Sequence, residues 1–191
     1  MGQELNLRDV LEQIEDKAQE SSTLTIDDLV SHFQTRGFGP LIMFPALIAG
    51  LPTGAIPGVP SLCGLCVALI SIQMVWGKKY PWLPQKLADI KVSQEKIKQV
   101  IPKALPWAEK VDRILKRRMT GLTHTTAQRL TAVITTLFGL SMIPLELVPL
   151  AAAVPAWSLV FLALGFSGQD GLFILMGYGV AVFGGALVLI L

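Results

Sequence analysis

The sequence predicts an all-α, polytopic integral membrane protein, and three observations carry that prediction. The chain of 191 residues is 52% hydrophobic and only 16% charged, against about 25% charged in a soluble domain. The deficit is local: from Leu130 to Leu191 only Glu146 and Asp170 are charged. The apolar runs are punctuated by prolines and glycines at lengths near those needed to span a bilayer.

Charge falls in blocks. Residues 1–35 hold eight acids against Arg8 and Lys17, and residues 78–129 hold thirteen Lys/Arg against Asp89, Glu95, Glu109 and Asp112. The basic block flanks membrane segments, which places it and the N-terminus in the cytoplasm by the positive-inside tendency. Topology therefore accounts for the basic residues, and nucleic acid is not an expected partner. The block also suits anionic lipid headgroups. The N-terminus is acidic and amphipathic, so no cleavable signal peptide is expected.

Residues 1–35 read as cytoplasmic amphipathic helices. In residues 6–19, Leu7, Val10, Leu11, Ile14 and Ala18 share one face, with Asn6 as N-cap. Thr25-x-x-Asp28 opens a second helix in the manner of a capping box, with Ile26, Leu29, Val30 and Phe33 inward and Gly37 as its stop.

Residues 36–79 read as the first membrane hairpin. The apolar runs from Pro40 to Leu51 and from Ser61 to Trp76 flank Leu51-Pro52-Thr53-Gly54-Ala55-Ile56-Pro57-Gly58-Val59-Pro60. Three prolines and two glycines between Pro52 and Pro60 cannot continue a helix. Broken backbone persists at membrane depth only where protein or a watery cavity satisfies its polar groups. The break is thus a turn at the membrane face or a re-entrant site within it. Either form returns Arg36 and Lys78-Lys79 to one side.

Residues 80–126 read as basic cytoplasmic or interfacial helices. Ser93–Ile101 and Trp107–Met119 are amphipathic, with Pro102 ending the first. They lie on the headgroup layer or pack as a cytoplasmic hairpin. Trp76, Tyr80, Trp82 and Trp107 suit the interface.

Residues 127–191 form the second membrane region. Its runs, 127–143, 150–166 and 172–191, are separated by Pro144-Leu145-Glu146-Leu147-Val148-Pro149 and by Ser167-Gly168-Gln169-Asp170-Gly171. Five passes follow. The two membrane regions share their punctuation, which raises an internal repeat. Arg36 precedes Pro52 by sixteen residues and Arg129 precedes Pro144 by fifteen; Pro52–Pro57 and Pro144–Pro149 are each five apart. Membrane hairpins share such grammar by chance as well. Transporters place sites where broken segments of two repeats meet.

Pro52, Thr53, Gly54, Pro57, Gly58, Pro60 and Glu146 are therefore the candidate substrate or ion site, with Arg36, Arg129 and Asp170 as candidate supporting charges. Glu146 at membrane depth would have its pKa raised by desolvation, suiting proton or cation coupling. At the far interface it would simply be solvated. Asp170 reads as a solvated aspartate in a cytoplasmic turn. Cys63-Gly64-Leu65-Cys66 has no second ligand pair or nearby histidine, so it reads as packing rather than as a metal or redox site. No nucleophile–histidine–acid set, P-loop or cofactor motif stands out, and the expectation is a protein that is not an enzyme.

Arg36-Gly37-Phe38-Gly39-Pro40-Leu41, the proline-rich break, Gln73-Met74, Pro81-Trp82-Leu83-Pro84, and Pro144 to Pro155 with the Gly168–Gly171 turn together resemble the ExoD family. The resemblance covers most of the chain. It implies the bacterial cytoplasmic membrane and a part in making or exporting surface polysaccharide. It implies no catalytic residues and offers no match for Cys63 and Cys66. The expected mechanism is transport-like, with ion or substrate passing at the breaks. Its rivals are a non-catalytic scaffold or regulator of a polysaccharide synthase complex, and an intramembrane enzyme acting on a lipid-linked sugar. The bilayer and the synthesis machinery are the expected partners. A homodimer would enlarge a thin bundle.

Overall fold

The computed structural model describes residues 8, 11–13, 15–16, 23–25, 38–78, 91–116, 118–119, 124–148 and 151–190. Among them, five apolar helices form a bundle: α1 (Gly39–Gly50), α2 (Val59–Val75), α4 (Thr125–Leu145), α5 (Ala153–Gly168) and α6 (Gly171–Ile190). The amphipathic α3 (Gln94–Ile114) lies between α2 and α4 in sequence. Residues 8, 11–13, 15 and 16 are helical, as the N-terminal apolar stripe predicts. A short antiparallel pair, β1 (Thr23–Thr25) with β2 (Lys91–Ser93), ties the N-terminal region to the start of α3. Thr25 thus ends a strand; Asp28 and the helix expected after it lie outside the described residues.

The apolar helices pair antiparallel. Gly58 meets Glu146 at one end of the α2–α4 seam, and an added Cβ at Gly77 would lie 2.7 Å from the Arg129 guanidinium at the other. Glycine lets this seam close tightly: a Cβ at Gly139 would fall 2.7 Å from the Gly64 carbonyl oxygen. The α1–α5 seam closes likewise, with Gly39 against Ser167 and Ala163. Small residues permit such close backbone approach between helices. The hydroxyl of Ser167 is buried there without a partner.

Large apolar side chains also line the outer surface. Leu62, Leu65 and Leu69 on α2, and Leu130, Val133, Leu137 and Leu140 on α4, recur at helical spacing and are exposed. The inward face of α4 carries Thr131, Thr135 and Thr136. Each returns its hydroxyl to a carbonyl one turn back, at 2.8–2.9 Å. Two of them also bridge helices, Thr136 to Ser71 and Thr131 to Tyr178, each at 2.8 Å. Ser158 donates to the Gly177 carbonyl at 2.7 Å. Ile42, Ala46, Val67, Met142, Leu159, Leu162 and Ile174 fill the rest of the core. Among the described residues, one helix, Thr126–Leu145, is by length and composition long and apolar enough to cross a membrane; the other apolar helices, α6 taken over Gly171–Ala186, are shorter.

Three boundaries differ from the sequence expectation; the helix expected to run to Met119 ends at Ile114. Pro102 does not end a helix: α3 continues through Pro102 and Pro106 to Ile114. Both prolines are exposed, as is Lys98, so the carbonyls left without an N–H partner lie on the open side. Pro144 likewise lies inside α4, and the second break begins at Glu146.

Candidate functional site

The two breaks meet at one end of the bundle. The first leaves α1 at Leu51 through a 3-10 turn, Pro52–Ala55. Thr53 donates its hydroxyl to the Ile48 carbonyl at 2.6 Å, closing the last turn of α1. Gly54 packs so closely on the Ala49 carbonyl that no Cβ fits. The chain then turns at Gly58, whose φ of 90° is left-handed and whose missing side chain would meet nothing within 4 Å. Gly58 is the N-cap of α2 and has no side chain to satisfy the helix's first N–H groups. Pro60 removes one of those donors.

Glu146 supplies the missing cap from another helix. It is the C-cap of α4, its own N–H bonded to the Met142 carbonyl at 3.0 Å. One carboxylate oxygen accepts the Gly58 N–H. The other accepts the Ser61 N–H at 3.0 Å and the Ser61 hydroxyl. An anion at a helix N-terminus is favoured by the local dipole. The Ser61 hydroxyl and the Gly58 N–H hold the Glu146 carboxyl below the ordinary glutamate range. Desolvation acts in the opposite direction and is outweighed by these hydrogen bonds. The carboxylate caps α2 through three hydrogen bonds.

The candidate residues are therefore gathered at one junction but divided in their contacts. Glu146 bonds Gly58 and Ser61, while Thr53 and Gly54 close α1. Leu51, Ile56, Pro57, Leu147 and Val148 form an exposed, apolar rim, with Leu147 the most open at 87%. Ser61 was absent from the sequence expectation. Its position at the third residue of a helix lacking a side-chain cap is the one local signal for it.

Arg129 and Asp170 lie at the opposite end and do not join Glu146. Arg36 lies outside the described residues. Asp170 is not a solvated turn residue but a buried one, at 0% exposure. Its Oδ1 accepts the Leu172 N–H at 3.1 Å, capping α6, and its Oδ2 accepts the Lys116 N–H at 3.1 Å. The Gly171 N–H donates to the Arg118 carbonyl at 2.8 Å. A stretch of chain beyond α3 is thus folded over this turn, which is why the aspartate is covered. Cys63 is buried, Cys66 is partly buried, and both are free thiols. Among the described residues no cluster of three or more His, Cys, Asp or Glu could hold a metal ion.

Comparison with known proteins gives this fold its setting. No solved structure matches the chain. Protein ExoD of Rhizobium meliloti is 30% identical over 159 residues, 82% of this chain. The chain spans 65% of that relative's length. An uncharacterized protein of Synechocystis is 23% identical over 158 residues, covering 82% of this chain and 73% of the relative. The family model described as "Exopolysaccharide synthesis, ExoD" matches residues 7–190. With nearly its whole length accounted for in this way, the chain belongs to the ExoD family of exopolysaccharide synthesis.

Proposed function

We propose that this chain is a multi-pass protein of the bacterial cytoplasmic membrane that serves exopolysaccharide synthesis as a non-catalytic organising component. The observation that carries the reading is the tight glycine-lined helix seams beneath an outward-facing apolar surface. Leucines face out from α2 and α4 while threonine and serine hydroxyls face in. That arrangement suits lipid around the bundle, since hydroxyls satisfied inside cost little and leucines outside cost nothing there. The α2–α4 seam is sealed by Gly64 against Gly139, and the α1–α5 seam by Gly39 against Ser167. At these glycines neither seam leaves room for so much as a methyl group. With 21 residues, α4 is about 31 Å long, enough to carry Glu146 from the basic, cytoplasmic face to the far interface.

A second reading, transport-like, is favoured by one observation: two broken segments from separate membrane regions meet at a carboxylate. In that reading the Glu146 cap is a closed gate. Glu146→Gln in a polysaccharide-producing strain separates the two. Unchanged secretion at normal membrane abundance supports the organising role. Loss of secretion at normal abundance supports the gate. Retention of the protein in membranes after alkaline carbonate washing tests the membrane reading itself; release into the wash would overturn it.

A further inference from the structure

We infer that Lys116 and Arg118 form a clamp for anionic phospholipid headgroups on the cytoplasmic face, held in position by Asp170; the inference rests on the membrane reading above. A cation lies where the exposed apolar surface of each of three helices ends. On α4 the exposed Arg129 immediately precedes Leu130, the first of its outward stripe. On α2 the stripe runs out at Trp76, 72% exposed, two residues before the exposed Lys78. On α6 the outward face begins at Leu172, one residue beyond the Gly171 N–H that is bonded to Arg118. An aromatic side chain and a ring of cations at the limit of an apolar surface mark the headgroup layer.

The strap itself is built rather than incidental. After α3 ends, Leu115 packs on Gly168, where an added Cβ would lie 2.8 Å from its side chain. The Lys116 N–H is bonded to the buried Asp170, and the Arg118 carbonyl to Gly171. Met119 turns the chain with a left-handed φ of 51°. Main-chain bonds therefore fix the segment while the side chains of Lys116 and Arg118 stay exposed. A buried carboxylate, which would repel anions if it were open, is spent on holding two cations against the end of the bundle. The chemistry that fits is a phosphodiester headgroup whose acyl chains lie along the leucines of the adjoining helices. Asp170 is a positioning residue in this scheme, since it faces backbone and not the lipid.

The test uses the full chain in nanodiscs of equal phosphatidylglycerol and phosphatidylcholine, re-extracted in mild detergent, with retained lipid counted by mass spectrometry. Wild-type protein is expected to retain phosphatidylglycerol preferentially. Lys116→Ala with Arg118→Ala should reduce that preference by about thirtyfold, the worth of two interfacial cations. Lys98→Ala, on the exposed side of α3, should leave it unchanged. Asp170→Asn is the sharper arm. It makes the local charge more positive, so simple attraction would raise retention, whereas release of the strap lowers it. Should Asp170→Asn not fold, the double alanine variant still decides. Equal retention of the two lipids by wild type, or undiminished preference in the double variant, overturns the clamp. Displacement by glycerol phosphate as effective as by the lipid would show a free-phosphate site and overturn the lipid assignment. Protein that remains membrane-bound but shows no preference sinks this inference alone; protein washed from the membrane by carbonate sinks the membrane reading.

Discussion

Ser61 donates both its backbone N–H and its hydroxyl to one oxygen of Glu146, across 85 residues of sequence. The bond joins the start of α2 to the end of α4. It makes the break after α4 the cap of α2. Glu146→Gln removes the charge and turns an amide donor toward donors. Ser61→Ala keeps the backbone donor. Both variants should melt below wild type in detergent, with Glu146→Gln the lower of the two. Equal melting of all three proteins would remove the cap from the forces holding the bundle.

The lowered pKa of Glu146 has a definite consequence for acid stability. A carboxyl depressed in the folded state contributes fully above its unfolded value, about 4.3. The contribution is lost as pH falls through the lower, folded value. Melting followed from pH 7 downward should show wild type and Glu146→Gln converging below about pH 4. A gap that stays constant to pH 3 would show that charge on Glu146 is not what the cap uses.

The α2–α4 seam should be sensitive to volume. Gly64→Ala or Gly139→Ala places a methyl on the opposing backbone and should cost roughly 1–3 kcal/mol, the range for overpacking. Leu69→Ala, on the outward face of α2, should cost much less in detergent. Reversible unfolding in mixed micelles measures both. A seam glycine no more sensitive than Leu69 would mean that the helices separate easily.

Hydroxyl bridges within the bundle should be weak individually. Tyr178→Phe deletes the bond to Thr131 and should cost about 0.6 kcal/mol, the average for such bonds between membrane helices. Thr131 keeps its bond to the Ala127 carbonyl, so no hydroxyl is orphaned. A loss several times larger would indicate that α6 is held chiefly through this contact.

The sequence displays the two breaks plainly, because proline and glycine act through local backbone chemistry. It also singles out Glu146, one of two charges after Arg129. Its partner was not legible. Nothing local to Ser61 says which distant carboxylate will reach it, since that depends on how the membrane regions pair. Asp170 differs for the same reason: an aspartate in a glycine-containing turn looks solvated until Leu115, Lys116, Arg118 and Met119 are seen packed on that turn. Pro102 misled in the other direction. A proline on the open side of an amphipathic helix leaves its stripe intact, and the stripe decided the outcome. The β1–β2 pair joins residues far apart in sequence, and three-residue strands carry no periodicity to read.

Gly58 and Gly64 are both glycines at helix α2, yet they exclude other residues on different grounds. At Gly64 the obstacle is crowding, so tolerance should fall steadily from alanine to valine to leucine. At Gly58 there is open space and a left-handed φ of 90°. The penalty there attaches to handedness, about 1–2 kcal/mol for an L-residue, and is nearly blind to size. Asparagine, which enters that region most readily, should be accepted at 58 ahead of the smaller alanine, an inversion of rank that no volume argument produces.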